Sequence, residues 1–489
     1  DNLKCVAGSS EAAVAMAVEA GVDMNLWSSC YANLDKAVHD GILDEKFLDR
    51  AVFRILTLKF KLGLFDRPYV DETTSIDIIS DNLQKETKRN IETMGNKVTK
   101  RDINLKLAIE SIVLLKNSNN ILPISRDIKR IAVIGPNADN IYNQLGDYTP
   151  PQCEGTGSTL LQGIFNAVGA NTEVVYAKGC GILNTSQDGL KEAIKAAESA
   201  DVVITALGGS SSRDFSINFD KNGAALVGKC QQDSNGMDCG EGVDIANLEP
   251  GGIQLELIKK IAALGKPVIT VLIQGRPYSI QHIVNNSTAV LCAWYPGEEG
   301  GKAIARIIFG DECPSGRLPV SIPRSSAQLP IYYNHKNTSD YADMPAAPLF
   351  PFGFGLSYTS FEFSGLKFVS PKANAGYMQV PSSIFNDGEE QYIELSTDVI
   401  NSGNMKGAEV VQFYISGFGS GISRRVKELK GFKKILLEPG EKVAVTFRLG
   451  KEELGIWNNE MKFTVVPGKV IIAAGHDSLD GNKVVLEIV

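Results

Sequence analysis

Five short runs of the chain are β-branched and continuous in their apolar character rather than alternating: Arg130–Gly135 (RIAVIG), Thr172–Ala177 (TEVVYA), Asp201–Leu207 (DVVITAL), Pro267–Gln274 (PVITVLIQ) and Thr288–Trp294 (TAVLCAW). A strand with one wet face alternates polar and apolar residues. A strand apolar throughout is covered on both faces, as in a parallel sheet held between two layers of helices. Segments of helical spacing, LKEAIKAAES and IQLELIKKIAAL, lie between the runs. Residues 107–330 are therefore expected to form an open α/β sandwich.

The period changes after the Pro/Gly-rich stretch Pro345–Gly355 (PAAPLFPFGFG). Val443, Val445, Phe447 and Leu449 alternate with polar residues, and EVVQFYI and KFTVV flank them. The turn signals NSGN, EPGEK and VPGK recur between short runs. Residues 358–489 read as a β-sandwich of immunoglobulin-like topology, joined by a linker over 331–357.

Ahead of the sandwich, residues 9–63 read as two or three helices. Ser9/Ser10 offer an N-cap, Leu48, Val52, Ile55 and Leu56 recur at helical spacing, and Gly63 stops the run. The segment Ala20–Trp27 (AGVDMNLW) is short enough for a strand. Some 65 residues of this pattern make a poor independent globule. Residues 1–69 are expected to be the end of an α/β unit whose earlier repeats lie upstream, and the polar stretch 70–106 a linker.

Several functions are excluded at this stage. Lys and Arg number 49 against 57 Asp and Glu, a net charge of −8. A chain this acidic lacks the basic surface that nucleic-acid binding needs. Its longest apolar runs are about half of the ~20 residues required to span a bilayer, so no membrane segment is expected. RIAVIGPNAD begins like a dinucleotide fingerprint, but after Gly135 no second glycine occurs until Gly146, and no phosphate-binding GxxxxGK[ST] is present. The eight cysteines include no CxxC pair and no metal-ligand spacing. Cys292 reads as a small buried hydrophobe. Cys230 and Cys239, nine apart in a polar loop, could pair in an exported protein.

The longer motifs then fall into an order. AGVDMN (Ala20–Asn25), FKLGLFDRPY (Phe60–Tyr69), ESIVLLKN (Glu110–Asn117), IAVIGPNAD (Ile131–Asp139), NQLGDY (Asn143–Tyr148), GEGVD (Gly240–Asp244), PSGRLPVSIP (Pro314–Pro323), FPFGFGLSYT (Phe350–Thr359), EVVQFYI (Glu409–Ile415) and VKELKGFKKILLEPGE (Val426–Glu441) run through nearly the whole chain. Together they resemble the family-3 glycoside hydrolases, the retaining β-glucosidase and β-xylosidase group. The resemblance implies the C-terminal end of a (β/α)8-type barrel, an open α/β sandwich and a fibronectin-III-like domain. It also implies a double displacement by two carboxyl groups about 5–5.5 Å apart, one a nucleophile and the other an acid/base. The family's nucleophile, an Asp in a Ser-Asp motif, and its Lys-His substrate-binding pair belong upstream of AGVDM. The acid/base is a Glu on a loop of the α/β sandwich, so the active site lies between two domains. The two-carboxylate mechanism needs no cofactor and no metal.

Glu241, in CGEGVD, matches the acid/base position. Gly240 and Gly242 let the backbone project its carboxyl into a cleft, where partial desolvation would suit a general acid. The plainer alternative is an exposed loop acid. The family commonly continues Asp-Arg, whereas this chain has Asp244-Ile245, so any contact of that Arg is expected to be lost. Arg213, in GGSSSRDF, could bind sugar hydroxyls, or pair with Asp214 or Asp220. Asp23 reads as a structural hydrogen-bonding residue, not a nucleophile. Trp27 and Trp294 could stack on a sugar, although core packing is the commoner use of a tryptophan.

The leading expectation is thus the acid/base half of an exo-acting β-glucosidase, acting on β-glucosides or oligosaccharides and completed by an upstream barrel segment, on the same chain or on a separate one. A β-xylosidase is the rival within the class. A carbohydrate-binding or assembly protein that lost its barrel is the rival outside it. Export of polymer-degrading members favours a periplasmic or secreted location.

Overall fold

The computed structural model describes residues 6–26, 29–69, 99–153, 155–212, 236–336, 339–371, 376–386, 391–418, 425–479 and 481–489. They divide into two compact units, one ending at Tyr69 and one starting at Thr99.

The first unit is helical. Helix α1 (Ser10–Glu19) is capped by Ser9, whose hydroxyl accepts from the Ala12 N–H at 3.2 Å. Helices α2 (Leu34–His39) and α3 (Glu45–Lys61) follow, α3 capped by Asp44 and ending before Gly63. Val14, Ala15, Val18, Cys30, Ala37 and Leu43 form the small core. Arg50 ties α3 to the end of α1 by donating to the Val18 and Glu19 carbonyls at 2.6 and 3.0 Å, where a helix leaves acceptors unfilled. Asp23 pairs with Arg54 at 3.3 Å, a structural role. The AGVDMNLW stretch is not a strand over its described residues, Ala20–Leu26, contrary to the sequence expectation. No strand among the unit's described residues offers its backbone a ladder partner.

The second unit opens with α4 (Lys100–Ser111), closed at its N-terminus by a Thr99/Asp102 capping box. This helix starts inside the stretch that the sequence assigns to a linker, and Leu105, Ala108 and Ile109 anchor it in the core. Six strands follow: β1 (Val113–Asn117), β2 (Arg130–Ile134), β3 (Glu173–Ala177), β4 (Val202–Gly208), β5 (Val268–Ile273) and β6 (Ala289–Trp294). They form one sheet in the order β1-β6-β5-β4-β2-β3, parallel except for β1, which runs antiparallel to β6. All five apolar runs are strands. The central strands are buried on both faces, as their composition requires: Val202, Ile204 and Ala206 of β4 point into one core, Val203 and Leu207 into the other, while edge strand β3 keeps Glu173 and Tyr176 exposed. Helices α4, α6 (Leu160–Ala167) and α10 (Gly300–Ile308) cover the first face. Helices α7 (Leu190–Ser199), α8 (Gln254–Ala262) and α9 (Gln281–Asn285) cover the second.

The C-terminal strands are β7 (Phe361–Phe363), β8 (Lys367–Ser370), β9 (Tyr377–Val380), β10 (Ile393–Asn401), β11 (Gly407–Phe418), β12 (Glu428–Leu437), β13 (Lys442–Leu449), β14 (Ile456–Trp457), β15 (Phe463–Thr464), β16 (Gly468–Gly475) and β17 (Asn482–Ile488). One sheet orders β13-β10-β7, with β8 also on β10; the other orders β12-β11-β16-β17-β9. Val445 and Leu449 of β13 are buried in the alternation read from sequence, and Phe413 of β11 stacks on Phe447 of β13 at 4.7 Å, joining the two sheets. The Pro/Gly-rich stretch before β7 is laid on the α/β layer. Leu318 and Ile322 donate to the Phe354 and Phe350 carbonyls at 2.9 Å, and Leu356 donates to Leu114 at 2.8 Å. Its prolines and glycines preclude regular structure, not packing.

The turn after β2 is tight. Gly135 has φ of +131°, and a Cβ there would lie 2.1 Å from the Ala206 carbonyl oxygen. Gly135→Ala is expected to cost at least the ~1–3 kcal/mol typical of overpacking. A denaturant midpoint equal to the parent's would contradict that fit.

Candidate active site

In an open parallel sheet, ligands bind beyond the strand carboxyl ends where the order reverses. Here the reversal lies between β2 and β4, because β3 adds on one side and β5 and β6 on the other. The loops leaving these two strands build the site.

The β2 loop carries the GPNAD turn. Asn137 is fully buried; its amide donates to the Gly209 and Ile273 carbonyls at 3.3 Å and its oxygen accepts from Asn143 at 2.7 Å. These bonds tie the turn to the ends of β4 and β5. Helix α5 (Ile141–Leu145), capped by Asn140, then turns at Gly146 into Asp147 and Tyr148. Tyr148 is 79% exposed and takes a left-handed φ of 58°, uncommon for a residue with a side chain.

The β4 loop carries Ser210, Ser211 and, beyond its undescribed part, residues 236–244. Asp238 is fully buried and accepts from the Ser210 N–H at 2.8 Å and from the Tyr278 hydroxyl. Burial, then the charge of Asp238 and its hydrogen bond, push the Tyr278 phenol far above its usual range, so it remains a donor at any ordinary pH. The Ser210 hydroxyl donates to Asn143 at 2.7 Å, linking the two loops. Cys239 is a free, buried thiol 3.3 Å from the Tyr295 hydroxyl; burial raises both groups above their ordinary values. Its proposed partner Cys230 lies outside the described residues. Burial likewise pushes the Cys292 thiol up to about 12, and the residue is core, as its run suggested.

Glu241 stands at the tip of this loop. Gly240 and Gly242 flank it with φ of +132° and +76°, and a Gly240–Val243 bridge closes the turn. The Glu241 side chain is exposed in this structure. Its carboxylate Oε2 accepts from the Tyr148 hydroxyl at 2.5 Å, and its N–H donates to Asp147 Oδ2 at 3.3 Å. Asp147 Oδ1 also accepts from the Tyr148 N–H at 2.8 Å, and the Asp147 N–H donates to Ser211 Oγ at 2.9 Å.

Asp244, a further acid among the loop's described residues, pairs with Arg276 from the turn after β5. That hydrogen bond, chiefly, holds its carboxyl below the ordinary aspartate range. The Asp-Arg dipeptide is absent here, yet a guanidinium still reaches the loop from elsewhere in the fold. So among the described acids at residues 236–244, Asp238 is sealed, Asp244 is ion-paired and Glu241 is exposed. Arg213 and Trp27 lie outside the described residues. Trp294 packs against the core of the second sheet face. Among the described residues no cluster of three or more His, Cys, Asp or Glu could hold a metal ion, and no helix is long and apolar enough to cross a membrane. Asp147 and Tyr148 were not singled out from sequence, although NQLGDY, one of the ordered motifs, contains both.

An α/β sandwich followed by a β-sandwich, with an acidic turn at the sheet's reversal point, is the architecture to be matched. Residues 112–358 match the glycosyl hydrolase family 3 C-terminal domain, and residues 409–478 match a fibronectin type III-like domain. The chain belongs to glycoside hydrolase family 3. It is 37% identical to a β-xylosidase of Formosa agariphila and 34% identical to a periplasmic β-glucosidase of Salmonella typhimurium, in each case over 96% of this chain and 60% of the relative. A β-glucosidase structure from Erythrobacter marinus superposes with a TM-score of 0.80 at 34% identity, over 100% of this chain and 62% of that one. The chain thus spans about 60% of the length of the curated relatives it matches.

Proposed function

We propose that this chain supplies the acid/base half of the active site of an exo-acting retaining β-glucosidase, with Glu241 as the proton donor and acceptor. The observation that carries the reading is the Gly240–Glu241–Gly242 turn, which presents one exposed carboxylate at the reversal point of the sheet. In the proposed reaction Glu241 gives its proton to the departing glycosidic oxygen while a second carboxylate attacks the anomeric carbon. Glu241 then takes a proton from the water that releases the sugar. Arg213 is the proposed sugar-binding residue.

The second carboxylate is assigned to an upstream barrel segment, and the helical unit to the end of that barrel. Phe53, Leu56 and Phe60, at three- and four-residue spacing on α3, are exposed and support this assignment. These 489 residues assayed alone are expected to give no turnover of aryl β-glucosides, because one carboxylate cannot form the covalent intermediate. Joined to a barrel-bearing segment they are expected to be active. Ordinary turnover by the purified chain alone would refute the division of the site. The β-xylosidase reading is kept because the Formosa relative carries that name; aryl β-xyloside hydrolysed faster than aryl β-glucoside would favour it. No hydrolysis of either by the joined protein would favour the non-catalytic alternative.

A further inference from the structure

Resting on the assignment of Glu241 as acid/base, we infer that Asp147 and Tyr148 form a clamp that positions this carboxylate and fixes which of its oxygens carries the transferable proton. A glutamate on an exposed loop samples many rotamers, whereas proton donation needs the acid held at one place beside the departing oxygen. The clamp acts from two sides. The Asp147 carboxylate receives the backbone N–H of Tyr148 on one oxygen and that of Glu241 on the other, so a single side chain sets both residues. The backbone N–H of Asp147 in turn donates to Ser211 Oγ, next to the Ser210 whose N–H donates to buried Asp238. The Tyr148 hydroxyl then reaches Glu241 Oε2. The left-handed backbone of Tyr148, in a residue that packs into no core, is an unfavourable conformation that this bridge maintains.

The direction of the Tyr148 bond has a chemical consequence. An oxygen already accepting a hydrogen is the poorer place for the acid proton, which assigns that proton to Oε1. As the Oε1–H bond breaks and the proton joins the leaving oxygen, Glu241 becomes an anion, and a hydrogen bond to an anion is the stronger one. The contact therefore tightens in the transition state of the first step, and its effect falls on kcat more than on KM. In the second step Glu241 must take a proton back, so the same contact gives no help.

Tyr148→Phe in the enzyme assembled with its barrel segment tests this. The ring is kept and the site is exposed, so the melting temperature should match the parent's. Cellobiose, a poor leaving group, should lose about tenfold in kcat/KM with KM nearly unchanged, the lower end of the loss expected for a hydrogen bond to a charged group. Dinitrophenyl β-glucoside, which leaves without a proton, should change by less than about twofold, and in a Glu241→Gln background the Tyr148→Phe effect should vanish. Asp147→Ala should reproduce the substrate-dependent loss. Equal losses on both substrates, no loss on either, or an effect that persists in the Glu241→Gln background would overturn the clamp while leaving the acid/base assignment standing. Glu241→Gln alone hydrolysing cellobiose normally would remove both.

Discussion

Cellobiose hydrolysis by the assembled enzyme is expected to fall on the order of 10²–10⁴-fold in Glu241→Gln, the usual contribution of a general acid. The amide keeps the shape of the side chain and can still accept from Tyr148, but it has no proton to give. A sugar hydroxylate is a poor leaving group, so the first step stalls. An activated aryl glucoside needs little protonation, and its first step should be nearly normal. Its glycosyl intermediate should accumulate, because no base remains to activate water. Azide attacks that intermediate without a base, so it should restore turnover and yield a β-glycosyl azide. Near-normal cellobiose hydrolysis, or no rescue by azide on any substrate, would refute the assignment. Asp238 and Asp244 are poor replacements: the first is sealed against Tyr278 and Ser210, and the second is tied to Arg276.

What could be read from the sequence was what composition encodes locally. The five β-branched runs announce strands of a doubly covered sheet through their length and composition, and β13 announces its own alternation. Strand β1 escaped because VLLKN follows α4 without a break: Leu105, Ala108, Ile109 and Ile112 are spaced as a helix, and only pairing with β6 makes the next residues a strand. At the site, Glu241 was legible through its two glycines and the ordered motifs. Asp147 and Tyr148 were not, since their role exists only where a turn 93 residues away in sequence meets the acidic loop. The pairing of Arg276 with Asp244 was invisible for the same reason. The AGVDMNLW segment has a strand's length, but length without a partner makes no ladder.

Among the described residues a buried ion pair, Arg317–Glu409, crosses the junction between the α/β sandwich and the β-sandwich, and removing one partner should be costly. Arg317, in PSGRLPVSIP, meets Glu409 at the start of EVVQFYI at 2.7 Å, with side chains only 7% and 2% exposed. His476 approaches the other Glu409 oxygen at 3.0 Å. Burial alone would raise the Glu409 carboxyl, but the His476 hydrogen bond and the Arg317 charge outweigh it, and the group sits below its ordinary value. Glu409→Gln keeps the volume and strands the guanidinium in a site where water cannot replace the lost charge. The expected cost is ~3–5 kcal/mol, seen as a lower thermal or denaturant midpoint. The double change Arg317→Met with Glu409→Leu should cost much less, because no unpaired charge remains. The sign of the pH dependence follows from the depressed carboxyl. Its contribution is fully present above the unfolded glutamate value of about 4.3 and is lost as pH falls through the lower folded value. Acid should therefore narrow the gap between parent and Glu409→Gln. A Glu409→Gln midpoint equal to the parent's at neutral pH, or a gap that widens in acid, would mean that this pair does not hold the two layers together.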